Sequence, residues 1–376
     1  MKILTVITEL GPGGAERIVY DLSRELICRA HSVTVVSLQE KPQISVIPDL
    51  LAALNIKVIY LSGTKKDITL PWKLRRVIRQ ENPDLIHAHL IHANLLSRLA
   101  AAGTGIPLVD TVHIAERRPG KQIFFILDRL TSFLADAHIA VSHAAAEYHE
   151  KCCHLPRGTF QVIYNASDAV TPASPAAVQK MFCQYGLDSY DKIIGSVGRL
   201  NYQKGYDWFL KHLYALAKQI PDGKRWAVLI FGDGPEWDNL KDLADQINQQ
   251  YKNIKVILPG YRADAASFMV MFDVFVMPSR YEGYGLALTE AMSLGLPVVC
   301  HKIDSLPELC QLYRGSSFLF EMRENNPQFE QQDAAAMAEA VIAAADCPKT
   351  DGQVLMTGDG MVMGYLQIYE KICQKN

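Results

Sequence analysis

A chain of 376 residues is too long for one ordinary hydrophobic core, so two domains are the natural division. With 49% hydrophobic residues and a net charge of −2, it is neither a disordered chain nor a basic nucleic-acid binder. No apolar run reaches the roughly 18–20 uncharged residues that a spanning helix needs.

Met1–Ile7 starts like a signal segment, but Glu9 interrupts it and a glycine turn follows where a small-residue cleavage site would stand. It reads as a buried first strand. The eight cysteines are scattered without a C-x-x-C pair, which suits reduced thiols in a cytoplasmic protein. In chain order, 3–8, 32–38, 57–61, 85–89, 108–112 and 137–142 have the short β-branched runs of buried strands. Helical periodicity separates several of them, over 15–29, 72–79 and 93–101. Thr171-Pro172-Ala173-Ser174-Pro175 has the composition of a loop or linker. The alternation then restarts, with strands over 192–197, 226–230, 254–258, 274–277 and 297–300. Helices are expected over 206–219, 237–249, 286–294, 334–345 and 361–372. Continuous apolar strands between helices imply parallel sheets covered on both faces. The expected fold is therefore α/β: two doubly wound, Rossmann-like domains, residues 1–168 and 191–355, facing a cleft and joined by a linker over 169–190. Ligands in such sheets bind at the carboxyl ends of strands.

Candidate chemistry sits at those ends. Gly11-Pro12-Gly13-Gly14-Ala15-Glu16 departs from a dinucleotide fingerprint, because its last position is Glu16 and no acid closes the next strand. What remains at Gly14 is a close backbone approach at a helix start, suited to an anion or to a tight turn alone. His87, His89 and His92 lack a completing acid or cysteine nearby and read as satisfied, partly buried histidines; His149, Cys152, Cys153 and His154 read likewise, and no metal is expected. His113 follows a strand directly, where a neutral imidazole could donate to a sugar hydroxyl or support charge near a leaving phosphate.

In the second half, Gly198-Arg199-Leu200 and Lys204-Gly205 follow a strand and together could clamp a diphosphate. Phe231-Gly232-Asp233-Gly234 and Leu258-Pro259-Gly260-Tyr261-Arg262 follow the next two strands, either as walls for a nucleotide base or as simple turns. The strongest group is Met277-Pro278-Ser279-Arg280-Tyr281-Glu282-Gly283-Tyr284-Gly285-Leu286, with Glu290 about one turn into the following helix. The N–H groups at that helix start can hold a phosphate. Glu290 is the only charged residue of 286–296, and a lone carboxylate against a core is costly, so it should face a polar ligand.

Glu282 and Glu290, with seven residues between them, resemble the E-x7-E motif of the retaining GT-B glycosyltransferases of family 4, of bacterial surface-polysaccharide type. Gly13-Gly14-Ala15-Glu16, Pro83–His89, Val162–Asp168 and Gly198–Gly205 are similar to further motifs of that family, in the same order and over essentially the whole chain. The resemblance implies sugar transfer from a nucleoside diphosphate sugar, UDP favoured, to a glycan or lipid-linked acceptor. Arg199 and Lys204 would neutralise the leaving diphosphate, and Glu290 would hold the ribose. Glu282 and the backbone of Gly283, Tyr284, Gly285 and Leu286 would contact sugar and phosphate. His113 would stand by the sugar, and Gly14 by the diphosphate or acceptor. Neither a cofactor nor a metal is implied, and the final helix, within 356–376, would cross back to the first domain. Other GT-B activities, an epimerase or hydrolase, or an idle sugar-nucleotide binder, remain alternatives. His301–Glu308 lacks the glycine pair that relatives often carry there, which leaves the donor sugar open. Arg117, Arg118, Lys121 and Arg129 around Phe124–Leu127, with Lys65, Lys66 and the basic residues of 73–79, suit either an anionic inner membrane leaflet or a core helix with solvated ends.

Overall fold

The computed structural model describes residues 1–374 apart from 12, 44, 65–66, 114–121, 167 and 325. It divides into two compact units, Met1–Ala166 with Met356–Asn376, and Ser167–Leu355.

Unit 1 carries strands β1 (Lys2–Ile7), β2 (Ser32–Ser37), β3 (Lys57–Tyr60), β4 (Leu85–His89), β5 (Leu108–Val112), β6 (Ala137–Ala140) and β7 (Phe160–Val162). They form one parallel sheet in the order β3-β2-β1-β4-β5-β6-β7. Helices α1 (Gly14–Cys28), α2 (Val46–Ala53), α3 (Leu70–Glu81), α4 (Ile91–Ala101), α5 (Gln122–Thr131) and α6 (His143–Cys153) connect them. Unbroken runs of Val, Ile and Leu make strands that are apolar on both faces. Leu4, Val6, Val36 and Ile86 accordingly pack with Leu74, Ile78 and Ala93 of the helices in one dry core.

Unit 2 opens with α7 (Pro175–Tyr185), inside the stretch expected as linker. Its proline occupies the first helical turn, and Ser174 Oγ accepts from Ala177 N–H. Proline there starts a helix rather than excluding one, because the missing N–H would be unpaired anyway. Strands β8 (Lys192–Val197), β9 (Trp226–Phe231), β10 (Ile254–Gly260), β11 (Val274–Met277), β12 (Val298–His301) and β13 (Ser317–Phe320) form a second parallel sheet, ordered β10-β9-β8-β11-β12-β13. The remaining helices of this unit are α8 (Tyr206–Lys211), α9 (Leu213–Ala217), α10 (Trp237–Gln250), α11 (Ala265–Phe268), α12 (Leu286–Ser293), α13 (Leu306–Leu312) and α14 (Pro327–Ala345). The single helix expected over 206–219 is two, broken at His212, whose ring Nδ1 stands 2.7 Å from the Trp208 carbonyl. The last helix, α15 (Gly358–Cys373), belongs to unit 1 and packs on α1. No described helix is long and apolar enough to cross a membrane.

The strand order reverses between β1 and β4 in unit 1 and between β8 and β11 in unit 2. These are the switch points where doubly wound sheets leave a crevice at their carboxyl ends.

Unit 1 also buries a charged network. Arg98 of α4 pairs with Asp110 of β5 at 2.6 Å and with Asp128 of α5, while His138 of β6 lies 2.8 Å from Asp110 and His149 of α6 3.2 Å from Asp128. Burial by itself would raise both carboxyls. Arg98 and His138 on Asp110, and His149 and Arg98 on Asp128, outweigh it and hold both below the usual range. Carboxyls depressed in the folded state add stability that is complete above their unfolded value and is lost as the pH falls through the folded one. Urea unfolding should therefore show unit 1 weakening as the pH drops below about 4. A stability profile flat from there into stronger acid would contradict this reading of the network.

Candidate functional site

The switch point of unit 2 is built by two turns strapped together. After β8 the chain runs through Gly198 and Arg199 into a short 3-10 turn, Tyr202–Lys204, capped by Asn201 Oδ1 on the Lys204 N–H. After β11 it runs through Pro278 to Gly285, which caps α12. Arg280 N–H donates to the Gln203 carbonyl at 2.7 Å, and the Gln203 side chain donates to the Tyr281 carbonyl at 3.1 Å. Gly205 sits at φ +66, and a Cβ on it would stand 2.0 Å from the Pro278 carbonyl oxygen. Glycine is thus needed both for the left-handed turn and for the approach of the two loops.

This places Lys204 Nζ 2.5 Å from Glu282 Oε1. Gly198 opens the route: a Cβ there would meet Lys204 Cε at 3.3 Å and Tyr206 Oη at 2.8 Å. Glu282 is 6% exposed and also accepts from Ser279 Oγ at 2.8 Å. Arg199 is exposed, on the same turn as Lys204. Gly285 holds φ +98, and its carbonyl accepts from the Leu288 and Thr289 N–H groups. The start of α12 therefore presents the Leu286 and Ala287 N–H groups, which no earlier helical carbonyl can accept. Glu290, in the second turn of α12, is half-buried. Gly283 and Tyr284 are buried under the turn.

The loop after β12 braces the Glu282 turn from the other side. His301 Nδ1 lies 2.8 Å from the Ser279 carbonyl, Asp304 Oδ2 accepts from Glu282 N–H at 3.0 Å, and Ser305 Oγ donates to the Tyr284 carbonyl at 2.9 Å. The side chains that stand in place of a glycine pair are therefore part of the site's frame. Burial keeps His301 below the usual imidazole range, so it acts as a neutral donor. Asp304→Ala should lower turnover about tenfold, with little change in melting temperature, by releasing the Glu282 backbone. Steady-state kinetics on Asp304→Ala and Asp304→Asn would check this, and a fully active alanine variant would refute it.

Arg280, within the Met277–Leu286 segment, anchors the same turn. Its guanidinium forks to Asp207 at 2.7 and 2.9 Å, pairs with Glu324 and stacks 4.1 Å over the Tyr202 ring. No spacing rule links residues 207, 280 and 324, so the sequence carried no signal for it. Of the remaining candidates, Gly232 lies against the Gly198 carbonyl and its N–H donates to Gly260 at 3.0 Å. Tyr261 is exposed, while Arg262 is forked to Asp264 and covers Phe268.

In unit 1, Gly14 is exposed at the start of α1, and the buried Glu16 carboxylate folds back beside Gly13. That helix end thus carries an acid of its own, which weakens its appeal to an anion. His113 is half-buried at the end of β5, and its Nε2 lies 2.9 Å from Nδ1 of His89. Burial draws the pKa of His113 down to about 3 and that of His89 well below the usual value, so both rings are neutral at pH 7. His87 and His89 are fully buried, deeper than the sequence suggested, and His89 Nε2 has no partner among the described residues. Asp128, His149 and Cys153 bring three ligand-type atoms within 4.8 Å. Asp128 is already committed to Arg98, however, and burial with Asp128 alongside pushes the Cys153 thiol up, against the thiolate a metal requires.

Residues 12–170 match the model of Glycosyltransferase Family 4, and residues 191–346 that of Glycosyl transferases group 1. The chain is 26% identical over 319 residues to the putative glycosyltransferase EpsF of Bacillus subtilis, covering 82% of this chain and 80% of the relative. It is 27% identical over 289 residues to an Escherichia coli UDP-Gal:alpha-D-GlcNAc-diphosphoundecaprenol alpha-1,3-galactosyltransferase, covering 74% and 71% of the two chains. Among solved structures, Anabaena HepE in complex with UDP superposes with a TM-score of 0.73 at 22% identity, over 99% of this chain and all of the other. Sucrose-phosphate synthase from Thermosynechococcus elongatus gives 0.72 at 16% identity over the full length of both. The fold shared with these neighbours, two Rossmann-like domains, is GT-B.

Proposed function

Because the chain belongs to the family 4 glycosyltransferases, we propose that it moves a sugar, with retention, from a UDP-sugar to a glycan or lipid-linked acceptor of surface-polysaccharide or lipopolysaccharide assembly. The observation that carries this reading is the Lys204–Glu282 pair held beside Arg199 and the start of α12 at the switch point of unit 2. As the glycosidic bond to the donor breaks, negative charge grows on the departing diphosphate. Arg199, Lys204 and the α12 N–H groups are fixed donors for it, so the chemistry asks for no divalent cation. Glu282 accepts from Lys204 and Ser279 and keeps lone pairs for a sugar hydroxyl. Glu290 would take the ribose hydroxyls. Retention follows from attack on the face the diphosphate leaves, with the leaving oxygen taking the acceptor proton and no protein nucleophile. The name of the Escherichia coli relative, with its UDP-sugar donor and lipid diphosphate acceptor, supports the donor and acceptor class.

Thermal shift against UDP-, GDP- and dTDP-sugars, followed by NMR of the product's anomeric proton, tests the proposal. UDP-sugars should stabilise most, transfer should survive EDTA, and the product should keep the donor's configuration. An inverted product, or a donor consumed only by hydrolysis, would overturn it.

A peripheral membrane role is the finer part of the reading. Helix α5 turns Phe125 and Asp128 inward and leaves Ile123, Ile126, Leu127 and Leu130 outward, with Phe133 beyond its end. Helix α4 packs on α5 and α3 on α4, adding exposed Trp72, Leu99, Lys73, Arg76 and Arg79, and Arg129 stands on α5. An outward apolar stripe edged by cations fits an anionic bilayer. Arg117, Arg118, Lys121, Lys65 and Lys66 lie outside the described residues. Flotation with phosphatidylglycerol vesicles at low salt should carry the protein upward, and Ile126→Glu with Leu130→Glu should abolish it. Failure of the unmodified protein to float would reject the bilayer as partner.

A further inference from the structure

His87 and His89 project on the same face of β4, one pleat apart, with ring centroids 3.9 Å from each other. His87 is satisfied at both nitrogens, Nε2 at 2.8 Å from Thr111 Oγ1 and Nδ1 at 2.6 Å from Tyr369 Oη of α15. Tyr365, one helical turn before Tyr369, lies with its ring centroid 5.1 Å from that of His87. The His87 ring is therefore fixed from both the sheet and the last helix, and it backs His89. The His89 ring spends its only hydrogen bond among the described residues on His113.

A fully buried imidazole with one nitrogen unpaired costs free energy that an apolar ring in the same place would avoid. Backbone strain lies beside it: Leu90 has φ 75 and ψ 144, a conformation that side-chain-bearing residues rarely adopt. Packing alone explains neither feature.

We propose that His89 is the positioning residue of His113, fixing its ring and tautomer through the Nδ1···Nε2 hydrogen bond. One proton lies between two neutral imidazoles. If His113 supplied it, the N–H left without an acceptor would be His89 Nε2, on a fully buried ring. If His89 supplies it, that N–H is His113 Nδ1, on a half-buried residue at the carboxyl edge of β5 where a ligand can accept. His89 therefore donates from Nδ1, His113 Nε2 accepts, and the proton of His113 resides on Nδ1. That nitrogen is itself buried, has no partner among the described residues, and is the donor left for a ligand oxygen. The inference rests on the reading of His113 as a group beside the transferred sugar, and it adds what orients it.

Asparagine and glutamine separate the roles of the two nitrogens, because an Asn amide falls near His Nδ1 and a Gln amide near His Nε2. Spectra of 15N-histidine protein should show His113 as the Nδ1–H tautomer in the unmodified chain and in His89→Asn, and as a mixture in His89→Gln. UDP release should be followed with whichever of UDP-glucose, UDP-galactose and UDP-N-acetylglucosamine turns over fastest. His89→Gln and His89→Phe should lower kcat about 10- to 100-fold with donor KM changed less than about threefold, and His89→Asn should recover most of the loss. Adding His89→Gln to His113→Phe should cost nothing further. Equal rates for the Asn and Gln variants, or an unchanged His113 tautomer in the Gln variant, would overturn the positioning role. If His113→Phe is impaired while all His89 variants are normal, the positioning role fails and the reading of His113 stands. A fully active His113→Phe removes the premise itself.

Discussion

Lys204→Ala should lower sugar transfer by about 10²- to 10³-fold, the largest loss expected from any single change in unit 2. The ammonium is held in place before any ligand arrives, by the Gly198 opening, the Asn201 cap and the Glu282 carboxylate. A charge already oriented needs no reorganisation when the diphosphate departs, which is why its removal should fall on kcat more than on binding of the intact donor. The substitution also leaves Glu282 buried with Ser279 as its remaining side-chain donor among the described residues. Glu282→Gln should cost less than Lys204→Ala, since a neutral amide keeps the turn and frees the ammonium for phosphate. Kinetics on both variants decide the order. If Glu282→Gln were the more damaging and Lys204→Ala mild, the carboxylate rather than the cation would be doing the chemistry.

Arg98→Met should be the most destabilising single substitution in unit 1, by about 3–5 kcal/mol. Arg98, Asp110 and Asp128 are each 1% exposed or less, and the guanidinium serves both carboxylates. Removing it strands two buried acids, whereas removing the whole cluster for apolar residues would cost far less. Calorimetry should show the unit 1 transition falling by about 10 °C. Asp110→Asn together with Asp128→Asn in the Arg98→Met background should recover much of that loss. A variant that melts like the unmodified protein would mean that water reaches the network.

How much of this was legible in the sequence depended on locality. Strands such as Trp226–Phe231, buried along their whole length, announce themselves as apolar runs. Edge strands β7 and β13 do not: one is three residues long, and the other exposes Leu319 and half-exposes Phe318. Helix α7 was hidden by reading Ser174-Pro175 as a loop, although a serine cap before a first-turn proline is a start signal. At the site, Arg199, Lys204, Glu282 and Glu290 could each be picked out by position after a strand or on a helix start. Their partnership could not, since Lys204 and Glu282 are 78 residues apart and meet only because β8 and β11 are neighbours. The sequence suggested separate tasks for the two, and the structure joins them in one ion pair. His301, Asp304 and Ser305 stood out only as a departure from an expected glycine pair. Their bracing of the Glu282 turn needed coordinates.

Arg199, Lys204 and the α12 N–H groups should hold the second phosphate of a nucleoside diphosphate without a metal. Titration calorimetry of UDP against UMP in EDTA tests it directly. UDP should bind about 10- to 100-fold tighter than UMP, and Arg199→Ala with Lys204→Ala should erase that difference while leaving UMP nearly unchanged. Equal affinity for UDP and UMP, or a difference that survives both substitutions, would contradict the account.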